Sequence, residues 1–379
     1  MYIYSIMELN RRQFLLLILL CSFLLGTGTI LKFFQWTNED KDLTKIYEKI
    51  IQWLTENDFK YKPDEVHINT VKRILEKLFP DINFKVNNYS LSNIEFTLEL
   101  DEKFVKKYDI DPKAIKTFIA LVNLGEELLS GVGESFIVNG QYFKYLRGDV
   151  DIPITISVPT IDLPSDVEKP TKLLETKEGD CEDYAIFLYY LLSLYGPSIG
   201  RPFVIIVPGH AMVGYSFIDI PNNEFLFKLA LQLGAVKILG STFFLKQGFT
   251  LKQIEKILDI TTNEVLNCDR ITIITEKQIF SFKNNKNELP PEVQELKNTW
   301  PKLVKFLKEH GISIDENELI KAIKEYIKLR GIILTKYENI RQIYEQKFIE
   351  TIQKYITDKK MFEAFKKEML KHREEIILY

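Results

Sequence analysis

Lys177-Glu178-Gly179-Asp180-Cys181-Glu182-Asp183-Tyr184-Ala185 is the stretch that decides the fold. Gly179 and Asp180 break the chain, and an apolar run from Ala185 to Tyr195 follows, closed by Gly196-Pro197. The pattern predicts a helix with both ends marked: Asp180 at the N-cap, Asp183 in the first turn, Gly196 at C′. Cys181 then falls at the first helical position. A thiol there sits at the positive end of the helix dipole, which favours the thiolate that does nucleophilic chemistry. An arbitrary Cys is more often a small buried residue. The acidic neighbours and the helix mouth weigh against that reading here.

Such a thiol needs a base. The chain has four His: His67, His210, His310 and His372. His310 and His372 lie in charged, helix-like segments and read as solvated; His67 lies in a polar stretch after Pro63. His210 follows Phe203-Val204-Ile205-Ile206-Val207, a β-branched run that reads as a buried strand, and it opens a second extended stretch, Ala211 to Ile220. Pro208-Gly209 lets the backbone turn between them. A Cys at a helix N-terminus with a His on a following strand is the geometry a thiol–imidazole pair needs.

These residues carry a resemblance. Lys177 to Ala185, the apolar helix after it and Gly209-His210-Ala211 together resemble the transglutaminase-like superfamily, which includes microbial transglutaminase-like cysteine peptidases. Pro170 to Leu174 resembles the lead-in to that family's catalytic helix. The likeness spans Asp149 to Ser281 at most, with its specific part in Pro170 through Tyr215. It implies a papain-like α+β unit in which the Cys helix packs on an antiparallel sheet carrying His and a third, orienting residue. It also implies Cys181 as nucleophile and His210 as general base and acid, in agreement with the reading from position alone.

The third member departs from the family pattern, which places an Asp on the strand after His. Asp219 is the nearest acid, but nine residues of straight strand would carry it roughly 30 Å away and onto the opposite face. If Pro221-Asn222-Asn223 is a hairpin turn, Gln232 is the polar residue nearest the position opposite His210, and an amide can orient an imidazole. If instead Glu224 to Leu239 is a helix capped by Asn222 or Asn223, its apolar Phe225, Leu229, Leu233 and Val236 fit that period. Gln232 is then only a helix residue, and the orienter lies further on, at a position such as Asp269.

Composition sets the outer bounds. At 379 residues the chain holds two or three domains beyond any membrane segment. The net charge of −3 is dispersed, with no broad basic face asking for nucleic acid. Three Cys, at 21, 181 and 268, are too few and too scattered for a disulfide framework or a zinc site. The second clear signal is N-terminal: the 19 residues from Gln13 to Leu31 carry no charge. At about 1.5 Å per residue this is close to the ~30 Å hydrocarbon core. Arg11-Arg12 abut the run and no Ala-x-Ala cleavage site is evident, which favours a retained anchor with its N-terminus inside.

The expected organisation is an N-terminal tail and anchor over 1–37, a mixed α/β region over 38–148, the catalytic unit over 149–284 and a helical region over 285–379. In the mixed region, Leu43 to Leu54, Val71 to Phe79 and Pro112 to Leu129 read as helices and Ser92 to Leu100 as a strand. Pro153 to Pro159 reads as an extended lead-in to the catalytic unit. In the last region Gly311 and Gly331 mark helix ends, Asp315 caps a helix, and Tyr337, Ile340, Tyr344, Phe348, Ile352 and Tyr355 form one apolar stripe. The expected whole is an α+β thiol enzyme with a transglutaminase-like core and helical flanks, held by one N-terminal transmembrane helix, its catalytic unit extracytoplasmic. Its expected partners are a protein or peptide substrate and the membrane; no metal or organic cofactor is implied. The alternative is a non-catalytic membrane-anchored binding or scaffold protein of the same fold.

Overall fold

The computed structural model describes residues 43–62, 66–90, 93–131, 152–194, 200–240, parts of 253–268, 270–283, 289–313 and 315–372. Among these, the chain starts with a helix over 43–56 (α1), a short strand Lys60–Tyr61 (β1) and a helix Val66–Leu78 (α2) that stops before Pro80. Ile82–Tyr89 (β2) and Asn93–Leu100 (β3) pair antiparallel. Glu102–Tyr108 (α3) and Pro112–Leu129 (α4) follow, with Asp101 and Asp111 as N-caps that accept hydrogen bonds from main-chain N–H groups of the first turn. Ile154–Pro159 (β4) then pairs antiparallel with β3 and completes a three-stranded sheet, β2-β3-β4. The expected lead-in to the catalytic unit is therefore a strand of this first sheet. Alternation decides its facing: Ile154, Ile156 and Val158 are buried beside Ile94, Phe96 and Leu98.

A second layer system follows. Pro170–Thr176 (α5) leads through Glu178–Gly179 (β5), which pairs parallel with β1, into Cys181–Ser193 (α6). Arg201–Val207 (β6), His210–Ser216 (β7), a helix Glu224–Gln232 (α7), Val236–Gly240 (β8), Arg270–Ile274 (β9) and Ile279–Lys283 (β10) come next. The five strands form one antiparallel sheet in the order β10-β9-β6-β7-β8. α6 packs on one face, against Val204, Ile206, Ala211, Val213 and Tyr215. α7 covers the other, where Phe227, Ala230 and Leu231 meet Phe203, Ile205 and Met212. Gly214 makes the central strands fit, because a Cβ there would stand 2.2 Å from the Phe203 ring. α6 is buried at every residue from Glu182 to Leu192, as a helix apolar on all sides must be.

The C-terminal helices are Pro291–Glu309 (α8), Glu316–Thr357 (α9) and Lys359–Lys371 (α10). Asp315 caps α9 as expected, accepting the Asn317 N–H at 2.9 Å. Gly331 does not end a helix: α9 runs through it for 42 residues, about 63 Å at 1.5 Å per residue. Its first half buries Tyr326, Leu329, Ile333 and Tyr337 against the three-stranded sheet and α4. Its second half buries Phe348, Ile349, Ile352 and Ile356 in the core around α6, which also takes in α1 and, from α10, Phe365 and Met369. The segments read as mixed region, catalytic unit and helical region thus share cores. Charged groups reinforce the joint between β9 and α9. Arg270 bridges Glu345 and Glu338, and Arg341 grips Glu338 through two bonds of 2.7 and 2.8 Å.

The molecule is α+β, with helices on antiparallel sheets. Among the described residues no helix is long and apolar enough to cross a membrane. The expected anchor, Gln13 to Leu31, lies outside the described residues.

Candidate active site

The first turn of α6 is fixed from three sides. Asp180 is the N-cap, and the Asp183 carboxylate reaches back to accept the Asp180 N–H at 3.2 Å. The other Asp183 oxygen accepts the Glu168 N–H at 2.7 Å, tying the loop before α5 to the helix mouth. On the third side runs β1. Lys60 N–H donates to the Lys177 carbonyl at 2.7 Å, Lys62 N–H to the Gly179 carbonyl at 2.8 Å, and the Tyr184 hydroxyl to the Lys60 carbonyl at 2.9 Å. The residues before Cys181 are thereby held by main-chain bonds rather than by packing alone.

Cys181 sits at the first helical position, as expected, and packs partly buried against the α6 core. Its S–H donates to Glu182 Oε2 at 3.2 Å, and its sulfur receives the backbone N–H of Ala211 on β7. Its acidity is the reverse of the expectation. Burial, then the charges of Glu182 and Asp180, push the thiol well above its ordinary pKa, and Asp162 adds to them; the Ala211 N–H pulls the other way. The helix end favours a thiolate by about 0.3–1 kcal/mol. Desolvation beside carboxylates outweighs that.

The acids respond in kind. Glu182 is pushed up to about 7, first by burial, against a hydrogen bond with Asp180, and further by Asp162 and Asp183. Burial pushes Asp183 up to about 6 despite the two main-chain bonds it accepts. Asp162 is raised to about 6, chiefly by burial, with His67 and Arg341 holding it back. His67, read from the sequence as polar surroundings only, stands 3.3 Å from Asp166 on the same loop as Asp162. Glu182, Asp162 and the Asp183–Glu168 bond are the parts of this site that sequence reasoning missed. The acidic neighbours were visible; their burial was not.

His210 opens β7 directly before Ala211, after a two-residue turn in which Pro208 sets its own φ near −65° and Gly209 takes φ 70°. Strand pairing sets it opposite Val207. Burial drives its pKa down to about 4, so the imidazole is neutral at neutral pH. The structure therefore brings the Cys181 sulfur to the main chain at residue 211, one residue from His210. A neutral ring there is in the protonation state of a proton acceptor.

Gln232 is not at this site. Of the two readings of 221–239, the helix holds only over Glu224–Gln232: Asn223 caps α7 by accepting the Leu226 N–H at 3.1 Å and no hairpin forms at Pro221, but Val236 to Leu239 belong to β8 and Phe225, expected on the apolar stripe, is exposed. Gln232 is the exposed last residue of α7, and the sheet separates α7 from α6. Asp219 is solvated and paired with Arg201 at 2.7 Å. Asp269 lies outside the described residues. No family model, curated protein or solved structure matches this chain.

Proposed function

We propose that the protein is a membrane-anchored, transglutaminase-like thiol enzyme acting on amide bonds. Cys181 is its nucleophile and His210 its proton acceptor and donor. The observation that carries this is the meeting of a thiol at the first turn of a buried helix with the main-chain N–H of the residue that follows a neutral His. In the reaction, His210 takes the thiol proton and the sulfur attacks the amide carbonyl. The proton then goes to the leaving amine, leaving a thioester; water resolves it to an acid, or a second amine to a new amide. The Cys181 N–H, free of an intrahelical partner at the first turn, is one oxyanion donor. In this reading the substrate is a protein or peptide, and Gln13 to Leu31 tethers the enzyme with its catalytic unit outside. The 19 uncharged residues of that run and Arg11-Arg12 before it support the tether.

One observation favours a second reading, a binding or scaffold protein of the same fold. The resting thiol is strongly protonated and bonded to Glu182, which is the state of an inert Cys. Labelling of the full chain with an iodoacetamide probe, resolved by peptide mass spectrometry, separates the two. The enzyme reading expects Cys181 to label ahead of Cys268, with labelling and amide turnover both lost in Cys181→Ala and strongly reduced in His210→Ala. Equal labelling of Cys181 and Cys268, unaffected by His210→Ala, selects the scaffold.

A further inference from the structure

We infer that Asp183 is a positioning residue for Cys181: its carboxylate, placed over Gly179, sets the helix mouth so that the sulfur meets the Ala211 N–H. The inference rests on the proposed role of Cys181 and concerns where the sulfur is held. Three observations carry it.

Asp183 is buried, 5 % exposed, and both its oxygens are spent on main-chain donors. One is the N–H of Asp180, the residue before the nucleophile; the other is the N–H of Glu168, across the loop. A helix needs only the first bond to be capped. The second does nothing for helix α6 as a helix; it sets α6 against the loop before α5. The carboxylate also lies where only glycine leaves room. A Cβ on Gly179 would stand 2.9 Å from both Asp183 Cβ and Oδ2, and 2.8 Å from Leu173 Cδ1. Gly179 does not take a positive φ, so close approach and not backbone conformation is what requires glycine there. Finally, the position is costly. Burial and the charge of Glu168 raise the pKa of this carboxylate, and its own charge in turn raises that of Glu182.

The test exploits opposed signs. If Asp183 acted on the thiol only as a charge, Asp183→Asn would make Cys181 more acidic, and alkylation near neutral pH would speed up. Positioning predicts the reverse. An amide can accept one of the two N–H groups but presents its own N–H to the other. The mouth then shifts, the Ala211 bond is lost, and the thiol pKa rises by roughly one unit, slowing alkylation roughly tenfold. Gly179→Ala displaces the same carboxylate without changing charge and is expected to give the same slowing. It also serves if Asp183→Asn does not fold. The measurement is the rate of Cys181 alkylation by iodoacetamide in the full chain, followed from about pH 6 to 10 by peptide mass spectrometry, with circular dichroism to confirm folding. A rate profile unchanged in the folded variants, or faster alkylation in Asp183→Asn, overturns the inference while leaving the enzyme reading intact. A wild-type Cys181 that does not react anywhere in the range removes both.

Discussion

The core around β2–β4 and the core around α6 are both closed by α9, yet the least exposed carboxylates gather at the second. Among the described residues, the least exposed acids are Asp180, Glu182 and Asp183, all in or at the first turn of α6, and the charge of Asp162, itself raised by burial, acts on the same turn. In the sheet core the buried polar groups are threonines such as Thr299, whose hydroxyl bonds main-chain carbonyls of its own helix. Placing three acids in a dry helix mouth costs several kcal/mol per charge if they stay ionised. The dipole of α6 offsets about 0.3–1 kcal/mol of this per acid. The raised pKa values are the visible remainder. Packing does not ask for such an arrangement, and a second core in the same chain is built without it. Sites that break the general rules of stability while the rest of the molecule obeys them are where function concentrates. The end of α6 is thus where the described residues depart most from those rules, independently of any motif.

The comparison assumes that α9 makes the two cores one cooperative unit, and the largest expected effects test that. Leu329→Ala opens a cavity in the sheet core and Ile352→Ala one in the α6 core; both residues are fully buried. Each is expected to cost about 2–5 kcal/mol. Two tryptophans report separately: Trp300 packs at the sheet core and Trp53 is buried in the α6 core. In urea titrations of single-tryptophan versions, both reporters should shift together for either substitution. A Leu329→Ala that moves the Trp300 transition and leaves Trp53 in place would show two independent units, and the contrast between cores would become one between domains.

The next effect sharpens the contrast between acids with and without a cation. Glu182 has its folded pKa raised to about 7, so the folded state holds the proton more tightly than the unfolded state does. Stability from this group is present below the unfolded value near 4.5 and is lost as pH climbs toward 7. Glu182→Gln should remove that slope, worth on the order of 3 kcal/mol, leaving urea stability flatter between those limits. Glu338 is the counterpart. Burial alone would raise it, but the two-bond grip of Arg341, with Arg270 behind, holds it down to about 2. Its contribution is present above about 4.5 and lost as pH falls toward 2, so Glu338→Gln should flatten the acid limb instead, by about 1 kcal/mol after solvent screening. Equal profiles for the two variants would mean that the acids of the helix mouth are no different from those of an ordinary ion-pair network.

Local signals carried most of what could be read in advance. Gly179-Asp180 announced the start of α6, Pro112 and Pro159 bound α4 and β4, and the β-branched runs around Pro208-Gly209 gave the β6–β7 hairpin. Each of these is set by residues within a turn or a strand of one another. What failed depended on partners distant in sequence. β4 looked like the entrance to the catalytic unit because nothing in Pro153 to Pro159 says that β3 will pair with it. Gln232 looked like a partner for His210 only while 221–239 was taken as a hairpin; Asn223 as a cap and the apolar spacing of Phe227 and Leu231 decide for a helix on the far face. At the site, the position of Cys181 was legible from its cap. Its acidity was not, because desolvation is a property of the folded surroundings, and here it reverses the effect of the dipole.

The smallest expected effect addresses the element that joins the two cores. Gly331 has the composition of a helix end, yet it lies inside α9, without a positive φ, between Leu329 and Ile333, which are both fully buried. A Cβ at Gly331 would meet nothing within 4 Å. Glycine inside a helix is less favourable than alanine by roughly 0.5–1 kcal/mol, because the unfolded chain loses more freedom there. Gly331→Ala is therefore expected to stabilise the protein by that amount, with the urea midpoint rising equally at Trp53 and Trp300. The sign is what matters. A glycine at a helix C′ sits in the left-handed region, where alanine is strained, so a loss of stability would put a break at 331. A gain seen at Trp300 alone would keep the helix continuous but make it a wall of one core rather than the spine of both. Only a gain at both reporters fits a single helix carrying strain-free packing from the sheet core to the helix whose mouth holds Cys181.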